Sequence, residues 1–195
     1  MKQLIAGMAL ACLASTSALA AAPDPVNDFQ SICIATLADP DAATAHARAL
    51  GWVTPPTLFS KQMTGEMKDI TARAVQWTTY EGGMEIMVAG DGRSFGSSDT
   101  PARVCFVLTL PQAIDIRAPI AAKLGLSPAG KLGDMDIFAF EDDHGRAKAV
   151  DLTRLENAEK LKSHRVRVVI AGSTKLGDDI AGMAGLSVPI ETPGK

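Results

Sequence analysis

A chain of 195 residues, 47 % hydrophobic and 21 % charged, has the length of one domain with a substantial core. Its formal net charge of −3 argues against nucleic acid as a partner, because such binding draws most of its affinity from neutralising phosphates with Lys and Arg. No Walker A motif, dinucleotide fingerprint, Cys-x-x-Cys or His-Glu-x-x-His occurs, so thioredoxin-type redox chemistry is not expected, nor is a cofactor or a metal.

The first 20 residues have the pattern of an export signal. Lys2 supplies a short positive region, Leu4 to Ala14 an apolar run, and Ala18-Leu19-Ala20 the small residues before a cleavage point. The expected mature chain begins at Ala21. Ser15, Thr16 and Ser17 interrupt the run before the roughly 20 apolar residues that a membrane span needs. Ala9-Leu10-Ala11-Cys12 offers a weaker alternative, lipid attachment at Cys12. Cleavage would leave 18 basic and 22 acidic residues, a net of −4. Low aromatic content with many Ala, Gly and Met residues fits a bacterial protein, and the leader makes it periplasmic or secreted.

Two helices open the mature domain. Asp24 can cap the first, Pro25 suits its first position, and Val26, Phe29, Cys33 and Leu37 recur on one helical face. Asp39 and Pro40 repeat the device, an Ala-rich body runs to Leu50, Gly51 stops it, and Trp52 can pack back on the helix. Thr54-Pro55-Pro56 is a rigid break. From about residue 70 the period becomes two, giving a strand with Val75 and Trp77 on its buried face. Glu81-Gly82-Gly83 is a hairpin turn and Met84 to Ala89 the return strand. Gly90 to Thr100 is expected to be a mobile loop, and Arg103 to Leu110 an apolar strand. A helix is expected from about Ala113 to Leu124, disturbed at Pro119. Met135 to Phe140 and Ala147 to Asp151 form a second hairpin around Asp143-His144-Gly145. A short helix near Leu155 to Leu161 leads to a strand from Arg165 to Ala171, and residues 176–195 are read as a short helix with a flexible tail, outside a single domain over 21–175.

The helix ending Ala49-Leu50-Gly51-Trp52 has a counterpart ending Lys123-Leu124-Gly125-Leu126, each followed by a break, a hairpin and a strand. The closing strands pair Arg103 to Val107 with Arg165 to Val169. The expected fold is therefore α+β: an antiparallel sheet of about six strands with helices on one face, built from a duplicated helix-plus-three-strand unit or from ordinary α+β punctuation that resembles one. Cys33 and Cys105 are the only cysteines of the mature chain. Each lies in an apolar setting, and export delivers them to an oxidising compartment, so they are expected to form a disulfide.

Gly92-Arg93-Ser94-Phe95-Gly96 matches the Gly-x-Ser-x-Gly turn of serine hydrolases. That turn works between a strand and a helix, yet Ser97-Ser98-Asp99-Thr100-Pro101 leads into another strand. The segment is more naturally a loop whose Arg93, Ser94 and Phe95 could form a binding edge. Glu141-Asp142-Asp143-His144 has metal-ligating residue types, but no second His at ligand spacing, and is good turn chemistry. Lys160, Lys162, His164, Arg165 and Arg167 form a basic cluster in which Arg165 and Arg167 share a strand face. His46 is read as exposed, and Trp52, Trp77, Phe138 and Phe140 as core. The expected function is a non-catalytic periplasmic binding or interaction module with a protein or small-ligand partner; the alternative is a small serine hydrolase using Ser94 with one of the histidines.

Overall fold

The computed structural model describes residues 24–57, 70–95, 97–112, 115–143, 146–151 and 166–190. The expected leader and the helix near 155–161 lie outside them.

The N-terminal helices begin as their sequences dictate. Asp24 Oδ1 accepts the Asn27 amide at 3.0 Å and Pro25 opens α1 (Pro25–Asp28). Asp39 Oδ1 accepts the Ala42 amide at 3.0 Å, with Pro40 opening α2 (Pro40–Ala49). Between them the chain widens into a π-helical segment, Phe29–Ile34. That segment buries Phe29, Ile32 and Cys33. The expected face does not extend to Leu37, which is 41 % exposed and, with Ala38, takes a positive φ that ends the helix. Gly51, at φ 88°, stops α2, and the amides of Gly51 and Trp52 return to the carbonyls of Arg48 and Ala47 at 2.9 and 3.0 Å. Trp52 is thereby folded into the core.

A further helix, α3 (Arg117–Leu124), starts later than Ala113. Pro119 falls in its first turn, where no intrahelical amide is required, so it does not disturb the helix. Ile116 cannot cap it, and Asp115 Oδ1 accepts the Arg117 amide at 3.1 Å instead. Gly125 closes α3 at φ 66°, and the Leu126 amide returns to Ala121 O at 3.1 Å. The two Leu-Gly helix ends matched in the sequence thus share one hydrogen-bonded closure.

Among the described residues an antiparallel sheet of eight strands, rather than six, carries these helices. The strands are β1 (Thr71–Tyr80), β2 (Gly83–Ser94), β3 (Ser97–Leu110), β4 (Gly130–Leu132), β5 (Met135–Asp143), β6 (Arg146–Ala149), β7 (Val166–Leu176) and β8 (Asp179–Pro189). Their order is β1-β2-β3-β8-β7-β5-β4, with β6 paired to β5. Two differences from the sequence reading matter. The Gly90–Thr100 segment is mostly strand, the far end of the β2–β3 hairpin. The stretch read as a C-terminal helix and tail is β8, which sits in the middle of the sheet between β3 and β7. Its Gly and Ala residues give it little β propensity, and burial between two long neighbours overrides that.

Both sheet faces are apolar. The first packs the helices through Phe29, Ile32, Ala43, Ala47, Ile116 and Ile120 against Met87, Cys105, Val107, Phe138 and Leu186. The second gathers Val75, Ile86, Val88, Val104, Phe106, Leu108, Ile170 and Met183, with Trp77 half-buried beside them. Burial on both faces is why residues 104–108 form an unbroken apolar run instead of alternating. Cys33 and Cys105 are joined, with Cα atoms 5.5 Å apart, fastening the π-helical segment to the middle of β3. This bond is consistent with a periplasmic or extracellular location. Among the described residues no helix is long and apolar enough to cross a membrane.

Candidate functional site

The β2–β3 hairpin carries three of the residues singled out in the sequence and separates them. Up to Arg93, opposite Pro101, the two strands pair regularly; the register then breaks, and Ser94 stands opposite Ser97. Arg93 remains exposed. Ser94 is 5 % exposed, at a hairpin end from which no helix departs, so the strand–turn–helix geometry of a hydrolase elbow is not formed there. Phe95 turns inward. Its ring centroid lies 5.3 Å from that of Phe106, and its amide donates to Ser187 Oγ at 3.2 Å. Instead of forming an exposed edge, Phe95 covers part of the second apolar face.

Beside Arg93 the sheet opens into a shallow cleft of about 290 Å³ lined by Thr71, Asp91, Gly92, Arg93 and Pro101. Gly90 precedes this lining on β2. A side chain there would run into the backbone of Thr71 and Ala72, at the point where the β1 register shifts. Alternating charges border the cleft. Arg73 Nε lies 3.1 Å from Asp91 Oδ2, Asp91 faces Arg103 across the β2–β3 ladder, and Arg103 reaches Asp39 at 3.1 Å. Arg167 is half-buried on β7 opposite Phe140. Arg165, Lys160, Lys162, His164, His144 and Gly96 lie outside the described residues. Glu141 is half-buried near the end of β5, and His46 is half-buried on α2, not exposed. Among the described residues no group of three or more His, Cys, Asp or Glu side chains is placed to hold a metal ion.

A second polar site was not singled out in the sequence. Glu85 lies on β2 and is 1 % exposed. It hydrogen-bonds the side chain of Asp28 at the end of α1. Thr109, 2 % exposed, is its cross-strand partner on β3. Glu85 Oε1 and Thr109 Oγ1 are both buried without a hydrogen-bond partner. Burial first, then the hydrogen bond and negative charge of Asp28 and the charge of Asp24, push the Glu85 carboxyl up to about 8. Burial also raises Asp28. Both shifts favour a proton shared between the two carboxyls, with Glu85 as the donor and Asp28 as the acceptor. The signal available in the sequence was parity: Glu85 shares a strand face with Met87 and Ala89, both core residues. Comparison with known proteins finds no matching family model, no matching curated protein and no matching solved structure.

Proposed function

We propose that the chain is an exported, non-catalytic binding module built from a duplicated helix-plus-three-strand unit, and that it takes a charged small ligand or a charged partner loop at the Arg93 cleft, with Arg165 and Arg167 as a second basic contact. The cleft carries this reading: it is open, it borders the alternating Arg73–Asp91–Arg103 charges, and Arg93 lies in its wall. Planar guanidinium groups suit carboxylate or phosphate recognition.

The sheet register supports the duplication. A two-fold axis through the Val107–Ala184 pair carries Leu108, opposite Met183, onto Gly185, opposite Phe106. It then carries Ile86 onto Ile170 and Trp77 onto Ile137. Outermost, it carries Val53, bridged to Trp77, onto Gly130 of β4, paired to Ile137. In this scheme β3 corresponds to β8, not to β7 as the sequence match suggested.

Two results are expected. Intact mass of the exported protein should correspond to a chain beginning at or near Ala21; retention of residues 1–20, or a lipidated Cys12, would contradict export by this leader. Native mass spectrometry of protein purified from its own periplasm should show a retained ligand or partner, lost in Arg93→Ala. An unliganded wild-type protein, or an adduct that survives Arg93→Ala, would remove the cleft as the site. Clean fluorophosphonate labelling lost in Ser94→Ala would establish the hydrolase alternative in its place.

A further inference from the structure

We propose that α1 is a proton latch: the hydrogen bond between the Asp28 and Glu85 carboxyls fastens it to the sheet, and loss of the shared proton releases it.

The two halves of the sheet show what is special about this contact. Across three neighbouring strands on the helix-covered face stand Thr78, Glu85 and Thr109, paired in that order. Under the two-fold relation described above, the other half places Phe138, Val169 and Leu186 there, also paired in that order. All three are fully buried in the core shared with α3. An apolar solution to these positions therefore exists in the same molecule. The N-terminal half instead buries a carboxyl and a hydroxyl, each with an oxygen lacking a partner. Such groups weaken a packed contact unless they are fully paired, so the contact beneath α1 depends on the one hydrogen bond that Glu85 makes to Asp28.

The groups facing Glu85 give that bond its pH dependence. Asp24 and Asp28 face it from α1, and Tyr80 from β1; Thr109 faces it from β3 and does not titrate. Asp24 and Asp28 disfavour a second negative charge. The closed latch holds the Glu85 carboxyl at about 8, against an ordinary value of 4.5 that applies once α1 is released. Because the closed form binds the proton more tightly, its advantage is complete below the ordinary value and is lost as pH rises through the raised one. Between these limits the opening equilibrium rises by up to about tenfold per pH unit. The Cys33–Cys105 bond keeps the following π-helical segment on β3, so opening is confined to α1 and its flank.

Amide hydrogen exchange on the intact oxidised protein tests this, corrected for the intrinsic base catalysis of exchange. The amides of Asp28 and Phe29, which bond the Asp24 and Pro25 carbonyls, should open about fiftyfold more between pH 6 and pH 8. The Ile120 amide, bonded to Ile116 O in α3, should not change and serves as the internal control. Glu85→Gln keeps a donor to the Asp28 carboxylate at every pH and should abolish the rise. Asp28→Asn removes the Asp28 charge but leaves Glu85 buried beside Asp24, so it should reduce the rise without abolishing it, and it carries the test if the first variant does not fold. The chain's single tyrosine gives an independent readout. The Tyr80 phenol is pushed up by burial and by the Glu85 charge, and its absorbance titration should shift downward in Glu85→Gln. Flat wild-type exchange at Asp28 and Phe29, a rise that persists in Glu85→Gln, an undiminished rise in Asp28→Asn, or an unshifted Tyr80 titration would overturn the latch.

Discussion

Loss of the Cys33–Cys105 bond should lower the unfolding free energy by about 4 kcal/mol, the chain-entropy value for a sequence separation of 72 residues. The bond joins the π-helical segment to the strand at the middle of the sheet, and both sulfur-bearing residues are completely buried. Their Cα separation of 5.5 Å falls at the usual spacing of about 5.5–6 Å. The native state therefore accommodates the link, and the main effect of breaking it is to enlarge the unfolded ensemble. Against a typical net stability of about 5–15 kcal/mol, such a loss would leave α1 and the π-helical segment the most easily detached part of the fold. Urea titrations of the oxidised protein and of a Cys33→Ala/Cys105→Ala variant measure it. The midpoint should fall and the denaturant slope should rise, because the unlinked unfolded chain exposes more surface. Equal midpoints would show that the bond contributes nothing to the fold.

What the sequence disclosed and what it withheld follow different physics. Where a helix start or stop is local it was legible: Asp24-Pro25, Asp39-Pro40 and the two Leu-Gly ends each act within one turn, whereas the start of α3 and the end of the first helical face were misplaced. The disulfide was legible because the expected mature chain holds only two cysteines. The strand count failed at the three-residue β4 and, for a different reason, at β8. Its alternation is masked by Ala181, Gly182, Ala184 and Gly185, and it is a strand because β3 and β7 pair with it on both sides. A local cue was present in Gly177-Asp178, a two-residue turn between Leu176 and Asp179. The Gly92–Gly96 segment failed in the opposite direction. Its glycines and serines have the composition of a loop, but Phe95 anchors it through Phe106 and Ser187, contacts distant in sequence. The cleft beside Arg93 was half visible, since Arg93 was singled out while Thr71 and Pro101, which complete it, are brought in by strand pairing. Glu85 remained hidden because an acidic residue between apolar neighbours is ordinary on an exposed strand face, and only α1, folded over that face, makes it exceptional.

Replacement of Gly185 by valine should destabilise the protein by about 3 kcal/mol, the upper part of the usual range for overpacking a filled core. Gly185 lies at the centre of β8, directly opposite Phe106 on β3 and Ile170 on β7. A Cβ there would stand 2.6 and 2.7 Å from two atoms of the Phe106 ring and 3.2 Å from Ile170 Cγ1. The absence of a side chain is what lets the ring lie across the strand, an arrangement that compensates the poor strand propensity of glycine. Phe106 cannot simply swing away, because Phe95 is stacked at a 50° tilt against it and both belong to the packed second face. Valine has better strand propensity, worth up to about 1 kcal/mol, and this offsets only part of the clash. The disturbance should also travel: moving Phe106 displaces Phe95, weakens its amide contact to Ser187 and loosens the hairpin end beside the Arg93 cleft. Denaturant unfolding gives the stability, and exchange of the Phe95 amide reports the hairpin. A double variant, Gly185→Val with Phe106→Ala, separates the causes. Phe106→Ala alone should cost about 3–5 kcal/mol through the cavity it leaves, and the valine methyls should fill part of that cavity, so the pair should cost less than the sum of the two single changes. A Gly185→Val protein as stable as the wild type, or strictly additive costs, would mean that the Phe106 ring does not depend on the glycine beneath it.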